Sequence, residues 1–310
     1  MSDAASGVNE ARQDWADLPL FDAHAHFYTD DIARYPLSAA NKREGEEGLT
    51  QRILAEPGTP ERIFALWDAS NVLGGAGVQY NNAYKTNNSY LLDVAEAHPQ
   101  RVGAVVILDA NDPTTPERVT QFATGRGIMG LRLVGFTDTA GASPWLETEA
   151  AAATLAAAER QALKVVLMVR LPTPDTPADP ALALVARLAT RFPLLTFVMD
   201  HFAWPAKFVD PQTVLTPAHR ALAEHANIHF KLTSINLERF AQSGTDNAAF
   251  VRAAADIFGA RRMMWGSDFG NTLRPYAEMA SAARGAAALL NAGEAAAFLH
   301  DSAAALFARR

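Results

Sequence analysis

Two histidines near the start of the chain have the spacing of a catalytic or metal-binding pair. His24 and His26 stand at the end of an apolar run, residues 18–27, that is typical of a buried β-strand. Side chains two residues apart on a strand point to the same face, so both imidazoles are expected to enter one space. Such a pair can hold a metal ion, polarise a carbonyl or relay a proton. The alternative is that both histidines merely hydrogen-bond within a polar patch of the core.

The composition and net charge of the chain limit which classes of protein and which binding partners are expected. The chain has 310 residues, a formal net charge of -7, 49% hydrophobic residues and no cysteine. The negative charge argues against nucleic acid and against a membrane surface as partners, although local arginines can still bind a small anion. Without cysteine there is no disulfide, thiolate metal site or cysteine nucleophile. Residues 1–17 read as a polar extension without the features of a signal peptide, and we expect a cytoplasmic protein.

Apolar strands alternate with helices along residues 18–310. The predicted strands, apolar on both faces, are 18–27, 77–80, 102–108, 128–134, 165–169, 194–199, 228–232 and 262–265. This rhythm predicts a single-domain α/β protein, a (β/α)8 TIM barrel, with a long irregular loop from Tyr28 to Pro60 and two C-terminal helices. A doubly wound open sheet is the alternative. It would need a glycine-rich turn after the first strand, where this chain has His24-Ala25-His26.

In such a barrel the carboxyl ends of the strands form the active-site mouth. The polar residues predicted there are His24, His26, Tyr80, Asn81, Asn82, Asp109, Asn111, Arg132, Arg170, Asp200, His201, Lys231, Thr233, Ser234, Ser267 and Asp268. For Lys231, which lies inside its strand, the alternative is a side chain that faces the helices. The amide and acid residues after strands 2 and 3 are also common turn and cap residues. Three histidines and one aspartate at the same mouth are hard to explain by packing alone.

Three short motifs carry a family resemblance. They are Asp22-Ala23-His24-Ala25-His26-Phe27, Met199-Asp200-His201-Phe202 and Trp265-Gly266-Ser267-Asp268. In this order they resemble the amidohydrolase superfamily, and within it the amidohydrolase-2 branch. That branch contains 2-pyrone-4,6-dicarboxylate lactonase, sugar lactonases and aminocarboxymuconate-semialdehyde decarboxylase. Tyr35-Pro36 and the segment 86–92 are similar to the lactonase subgroup, and the resemblance covers about residues 18–307.

The resemblance implies a role for four residues. His24 and His26 match the metal ligands of the first strand. Asp268 matches the aspartate that serves as general base toward the attacking water. His201 matches the histidine of the sixth strand, which assists by hydrogen bonding or polarisation.

The resemblance leaves the cofactor open. The fifth strand ends in Arg170 and lacks the ligand histidine of the metal-dependent decarboxylases, and the fourth carries Arg132 instead of a residue that bridges two metals. A two-metal centre is therefore not expected. One divalent ion such as zinc could be held by His24, His26 and Asp268. Alternatively no metal is required, as in the pyrone dicarboxylate lactonase of this family, where histidines polarise the carbonyl directly.

The predicted function is hydrolysis of a small anionic lactone in aromatic-compound catabolism. Asp268 would activate water, and the histidines, directly or through a metal, would stabilise the negative oxygen. Arg132 and Arg170 would grip a carboxylate or sulfonate of the substrate, unless each pairs with an acid such as Asp109 or Asp200.

Further residues are predicted to line the pocket: Tyr35, Tyr80, Asn82, Tyr84, Trp204 and Ser234. Arg34 and Arg274 are weaker candidates for binding the anion, and the segment 28–60 is predicted to be a lid. The alternatives are a zinc-dependent decarboxylase of the aminocarboxymuconate-semialdehyde type, a hydrolase of neutral sugar lactones, and a barrel that binds without catalysis. The missing histidine in strand 5 counts against the first, and the two arginines count against the second. The sequence leaves the oligomeric state open, and a homo-oligomer is compatible with it.

Overall fold

A computed structural model of the chain describes residues 12–38, 44–173, 175–203 and 215–309. Eight parallel strands form one sheet in the order of the sequence. They are β1 (Leu20–Ala25), β2 (Val72–Val78), β3 (Val102–Ile107), β4 (Gly130–Phe136), β5 (Lys164–Arg170), β6 (Thr196–Met199), β7 (Ile228–Thr233) and β8 (Met263–Gly266). Just beyond β8, the amide of Asp268 donates to the carbonyl of His24 at 2.8 Å. The amide of His26 donates to the carbonyl of Phe269, so the last strand closes against the first. The predicted (β/α)8 barrel is confirmed.

Helices connect the strands and cover the outside of the barrel. They are α1 (Gly45–Ala55), α2 (Pro60–Ala69), α3 (Asn81–Tyr84), α4 (Ser89–Ala97), α5 (Thr115–Gly125), α6 (Glu149–Arg160), α7 (Asp179–Arg191), α8 (Pro217–Ala221), α9 (Ser234–Gln242), α10 (Asn247–Phe258), α11 (Tyr276–Ala286), α12 (Ala292–Ala296) and α13 (Ser302–Phe307). Among the described residues, none of these helices is long and apolar enough to cross a membrane.

The hydrophobic core has an outer and an inner part. The outer part lies between strands and helices, whereas the inner part fills the barrel itself and consists of Phe21, Ala23, Ala76, Val78, Val105, Val166, Val198 and Met264. Two residues of α13, Ala303 and Phe307, pack against this inner part. A Cβ at Gly103 of β3 would lie 1.9 Å from the carbonyl oxygen of Phe307, so glycine permits this close approach. The C-terminal helix therefore closes the end of the barrel opposite the mouth.

Two parts of the sequence-based prediction need correction. The segment from Tyr28 to Pro60 is not irregular throughout, because it contains α1. The second strand begins at Val72 and not at residue 77. Its first half is rich in glycine and so has a weak strand signal, but a Cβ at Gly75 would lie 2.6 Å from the carbonyl oxygen of Asp22 and collide with Trp67. Small residues are thus needed where β2 approaches β1.

Candidate active site

The structure brings the four predicted catalytic residues together at the mouth of the barrel. The ring centroid of His24 lies 4.8 Å from that of His26 and 5.2 Å from that of His201. Oδ1 of Asp268 lies 3.6 Å from Nε2 of His24 and 3.3 Å from Nε2 of His26. All four residues are buried, at 2% relative exposure or less. They come from β1 and from the segments that follow β6 and β8, which are brought together by barrel closure.

A buried carboxylate fixes the end of β8 against β1. Asp22, two residues before His24, accepts hydrogen bonds from the amide of Ser267 at 2.8 Å and from its hydroxyl at 2.6 Å. The hydroxyl of Tyr276 donates to the same carboxylate at 2.8 Å. Burial, followed by the charge of Asp22, raises the pKa of Tyr276 well above 10.0, so this phenol stays protonated and remains a donor. The network places Asp268 directly beside His24 and His26.

Hydrogen-bond partners determine which nitrogen of His24 and His26 carries the hydrogen. Nδ1 of His26 lies 2.8 Å from the carbonyl oxygen of Val78, which can only accept, so the hydrogen is on Nδ1. Nδ1 of His24 lies 3.2 Å from Oδ1 of Asp200 without hydrogen-bond geometry, nearer than Nε2 lies to Oδ1 of Asp268 at 3.6 Å, and we therefore place its hydrogen on Nδ1. Burial lowers the pKa of His24 well below 6.5, against the opposing charge of Asp200, and keeps its ring neutral. Both rings therefore turn an Nε2 lone pair toward Asp268.

His201 is oriented in the same way. Its Nδ1 lies 2.7 Å from Oγ1 of Thr233, and that hydroxyl donates its one hydrogen to Oδ1 of Asn236 at 2.9 Å. Nδ1 of His201 must then be the donor to Thr233, which leaves the lone pair on Nε2. Burial lowers the pKa of His201, so the neutral ring prevails near pH 7. Asn236 also donates to the backbone carbonyl of His201 at 3.0 Å and so fixes the main chain there.

The backbone at the mouth is held in an uncommon conformation. His201, Phe202 and Ala203 all have φ between 51° and 57°, and Asp268 has φ 54°. Non-glycine residues adopt this left-handed region rarely, and such strain is concentrated at functional sites. The amides of Asn271 and Thr272 both donate to the carbonyl of Asp268, at 3.0 and 2.8 Å, and stabilise the turn that carries the aspartate.

Asp268 is ionised in this setting. Burial alone would raise the pKa of its carboxyl, but the surrounding histidines, His26 first, outweigh burial and lower the pKa well below 3.8. An ionised carboxylate among three imidazole rings is an electron-rich site, able to bind a cation or to accept a proton.

A second buried carboxylate, Asp200, joins three positively charged or hydrogen-donating groups. Its Oδ2 accepts from Nε of Arg132 at 2.8 Å, and its Oδ1 lies 3.1 Å from Nζ of Lys231 as well as beside His24. Burial would raise the pKa of Asp200, but Lys231 and Arg132 reverse this effect and lower it well below 3.8. Arg132 thus takes the alternative role foreseen for it, an ion pair with Asp200. The alternative raised for Lys231 is wrong, because its fully buried side chain points into the barrel and lies 5.6 Å from the ring of Phe307.

Two groups of residues have ligand atoms close enough to hold a metal ion. In the first, His24, His26 and Asp268, two imidazole lone pairs and a carboxylate oxygen converge, and Nε2 of His24 has no hydrogen-bond partner among the described residues. This donor set fits one divalent cation of the zinc type. The second group contains Asp200, whose oxygens are already engaged by Lys231 and Arg132. The first group is therefore the better fit, and it is the ligand set predicted from the sequence.

The residues predicted to line the pocket have varied surroundings. Tyr80 stacks on His26 with centroids 4.7 Å apart, and its hydroxyl donates to the carbonyl of Gly270. Asn82 donates to the side chain of Asn271 at 3.0 Å. Ser234 begins α9 and accepts from the indole of Trp265 at 3.3 Å. Tyr35 donates to Asp93 of α4 at 2.7 Å, a contact that ties the segment after β1 to that helix.

Arg170 differs from the other predicted arginines. It is exposed, its guanidinium lies 4.7 Å from the ring centroid of Phe136, and among the described residues it forms no ion pair with a carboxylate. Burial of its stem and then the nearby Arg132 lower its pKa, which indicates unrelieved positive charge.

The weaker candidates have other partners or lie outside the described residues. Arg34 pairs with Asp93, and Arg274 pairs with Glu278. Tyr84 accepts from the amide of Thr29, and Trp204 lies outside the described residues.

Sequence reasoning missed one residue in contact with the site. Asn271 donates through Nδ2 to Nε2 of His26 at 3.0 Å and to Oδ1 of Asp268 at 3.1 Å. Asn271 follows Asp268 by three residues, in a turn whose geometry cannot be predicted from any sequence motif. Segment α1 also reaches the site, because Arg52 donates to the hydroxyl of Tyr80 at 2.9 Å.

The cluster of histidines with one aspartate lies at the carboxyl ends of the barrel strands, where enzymes of this fold have their active sites. Residues 21–309 match the model of the amidohydrolase family, and the chain belongs to that family. The resemblance seen in the motifs is confirmed, and the chain is a hydrolase.

Individual proteins are similar to the chain in sequence or in fold. The chain is 28% identical over 215 residues to an L-fucono-1,5-lactonase of Burkholderia ambifaria, covering 67% of this chain and 70% of that protein. A 2-pyrone-4,6-dicarboxylic acid hydrolase of Pseudomonas putida has the same fold at TM-score 0.65 and 20% identity, covering 94% of this chain and 97% of its own. A 5-carboxyvanillate decarboxylase of Novosphingobium aromaticivorans, complexed with manganese, matches at TM-score 0.65 and 13% identity, covering 96% and 98%.

Proposed function

We propose that this protein hydrolyses the lactone of a small molecule that carries a carboxylate or sulfonate group. The observation that carries the proposal is the ionised Asp268 beside the Nε2 atoms of His24 and His26, at the mouth where β5 ends in an arginine with no acid partner among the described residues. Lactone hydrolysis needs a base for water and a positive field at the carbonyl oxygen. The relative from Burkholderia ambifaria is a lactonase, and a protein described as a 2-pyrone-4,6-dicarboxylic acid hydrolase shares the fold.

His24, His26 and Asp268 would hold one divalent cation, zinc or manganese. A cation held there would supply Lewis-acid polarisation of the lactone carbonyl. The hydrogen positions favour this arrangement over direct polarisation by the histidines. The Nδ1 hydrogens of His26 and His201 are engaged elsewhere, so the Nε2 atoms of these two rings present lone pairs and cannot donate to a developing oxyanion.

The residues of the chain then have distinct tasks. Asp268 accepts one proton of the attacking water as the oxygen of that water bonds to the carbonyl carbon. When the ring C–O bond breaks, the same carboxyl returns the proton to the leaving oxygen, so the product is a hydroxy acid and Asp268 is again ionised. His201 accepts a hydrogen bond from the water or substrate through Nε2. Arg170 binds the anionic group of the substrate.

A neutral sugar lactone is the second candidate substrate, and the fuconolactonase relative favours it. The two candidate substrates differ in their interaction with Arg170. A carboxylated lactone can form an ion pair with its guanidinium, whereas a neutral sugar lactone cannot. Decarboxylation is the third reaction found on this fold. Here β5 contributes Arg170 to the mouth instead of a ligand histidine.

A hydrolysis panel tests the proposal. The purified chain is treated with chelator, reloaded with Zn²⁺ or Mn²⁺, and assayed by proton release on carboxylated pyrones and muconolactones, on neutral aldonolactones, and on dihydroxybenzoates for CO₂ release. The proposal predicts turnover of the carboxylated lactones with a higher kcat/KM than for the neutral ones. Turnover of dihydroxybenzoates without any lactone hydrolysis would overturn it, and a preference for neutral lactones would favour the second candidate.

A further inference from the structure

One side chain occupies lone pairs that the proposed metal ligands would need. Both hydrogens of the Asn271 amide are used, one toward Nε2 of His26 at 3.0 Å and one toward Oδ1 of Asp268 at 3.1 Å. These are two of the three ligand atoms in the cation site described above. Asn271 is half-buried, whereas the atoms beneath it are fully buried, so the amide covers them from the mouth side.

An imidazole nitrogen cannot serve an amide hydrogen and a metal ion at once. Nε2 of a neutral histidine has a single lone pair in the plane of the ring. Because the Nδ1 hydrogen of His26 is bound to the carbonyl of Val78, the ring cannot change its tautomer to offer another lone pair on this side. A cation can therefore bind His26 only after the Asn271 side chain has turned away.

A second amide fixes the direction of the first. Oδ1 of Asn271 accepts from Nδ2 of Asn82 at 3.0 Å, so its NH₂ group is the end that faces His26. Asn82 lies in α3, directly after the strand β2 whose last residue, Val78, holds His26. The pair thus bridges the segments after β2 and β8 over the end of β1.

The backbone beneath this pair is fixed independently of the side chains. The amide of Asn271 donates to the carbonyl of Asp268, and the hydroxyl of Tyr80 donates to the carbonyl of Gly270. Rotation of Asn271 about its side-chain bonds is then enough to uncover the ligand atoms, and the turn itself need not move.

We propose that Asn271 is a competing cap on the cation site, held in place by Asn82, and that it weakens the affinity of this chain for divalent ions. This inference rests on the cation site in the proposed function. Without a cation, the amide hydrogens separate the lone pair of His26 from the carboxylate of Asp268, which would otherwise face each other at 3.3 Å. With a cation, that role passes to the ion and the amide is displaced.

Metal affinity measured without substrate tests the cap. Chelator-treated wild type, Asn271→Ala and Asn82→Ala are titrated with Zn²⁺ against a chelating dye, and folding of each is checked by circular dichroism. Since loss of two hydrogen bonds favours the open ligands, Asn271→Ala should bind Zn²⁺ about tenfold more tightly than the wild type. Asn82→Ala should bind with intermediate affinity, because Asn271 remains but loses its support.

Asn81→Ala is the matched control, since it lies one residue earlier in α3 and no hydrogen bond joins its side chain to the pair among the described residues. It should bind Zn²⁺ like the wild type. Unchanged or weaker binding by Asn271→Ala, or no binding by any variant, would overturn the cap. These results are independent of lactone turnover, which the hydrolysis panel measures separately, so a failure of the cap is distinguishable from a failure of the proposed reaction.

Discussion

At the scale of single residues, the position of the hydrogen on each histidine ring determines what the ring can do. In the site histidines this hydrogen is on Nδ1, which points away from the mouth. Val78 and Thr233 accept the Nδ1 hydrogens of His26 and His201, and Asp200 lies 3.2 Å from Nδ1 of His24. The Nε2 lone pairs then face the mouth, where Asp268 contributes a carboxylate. Second contacts of this kind orient the rings of metal-ligating histidines generally. Asp200 is the residue that contacts His24 in this way. Burying its charge is costly, and the ion pairs with Lys231 and Arg132 offset that cost.

Arg170 provides the residue-scale prediction about substrate. Its guanidinium carries a charge that among the described residues no carboxylate neutralises. Arg170→Gln should raise KM for a carboxylated lactone roughly ten- to a hundredfold, the loss expected for a hydrogen bond to a charged group, and should change KM for a neutral lactone little. Arg187→Gln, which removes an exposed arginine paired with Glu147 on the outside of the barrel, is the control. Equal losses on charged and neutral lactones would show that Arg170 does not recognise the anion.

At the scale of helices and strands, apolar content was enough to predict the barrel strands. Helix α1 and the first half of β2 were not predicted, because their sequence patterns are weak. Helix α1 buries only Leu49 and Ile53 and stands among charged and glycine residues, so its amphipathic pattern is faint. Strand β2 was recognised only in its second half because close packing against β1 demands small residues there. The left-handed turn after β6 has no sequence signature, since tertiary contacts with Asn236 hold it.

Helix α8 supplies a prediction about pH. His219 is 1% exposed, and burial lowers its pKa to about 4. Because the histidine of the unfolded chain titrates near 6.5, the unfolded chain binds a proton between pH 6.5 and pH 4 that the folded chain does not. The contribution of His219 to stability should therefore be fully present above about pH 6.5 and fall by about 3 kcal/mol as the pH drops to 4.

Urea unfolding at pH 7, 5.5 and 4 checks this dependence. His219→Asn cannot be protonated and can still hydrogen-bond to Thr216, which lies 3.1 Å from Nδ1 of the native ring. The variant should lose less stability than the wild type over this range, by about the same 3 kcal/mol. Parallel curves for the two proteins would contradict the assignment of acid sensitivity to His219.

At the scale of the whole molecule, the site exists because the barrel closes. His24 and Asp268 are at opposite ends of the sequence and become neighbours only when β8 meets β1. Strand order and the rule that active sites form at carboxyl ends were sufficient to predict this meeting. They could not predict which way Lys231 faces within β7 or that the turn after β8 directs Asn271 at His26, because both depend on register and turn geometry.

The opposite end of the barrel offers a test of closure. Phe307 is fully buried and fills the space beneath the inner core, close to Lys231. Phe307→Ala should lower the free energy of unfolding by about 3–5 kcal/mol, as other large-to-small core substitutions do. Leu306→Ala, which truncates a partly buried neighbour, should cost clearly less. Equal and small losses in chemical denaturation would mean that α13 does not close the barrel.

The proposed activation of water by Asp268 in lactone hydrolysis is tested by the kcat of Asp268→Asn on the lactone of the panel with the highest kcat/KM. The amide has nearly the same shape but cannot accept the proton, so kcat should fall roughly 10²- to 10⁴-fold. Asp256→Asn, an exposed carboxylate of α10 paired with Arg252, should retain the wild-type rate, and metal content is measured in each protein. A correctly folded Asp268→Asn variant with wild-type kcat would show that Asp268 is not the base that activates water.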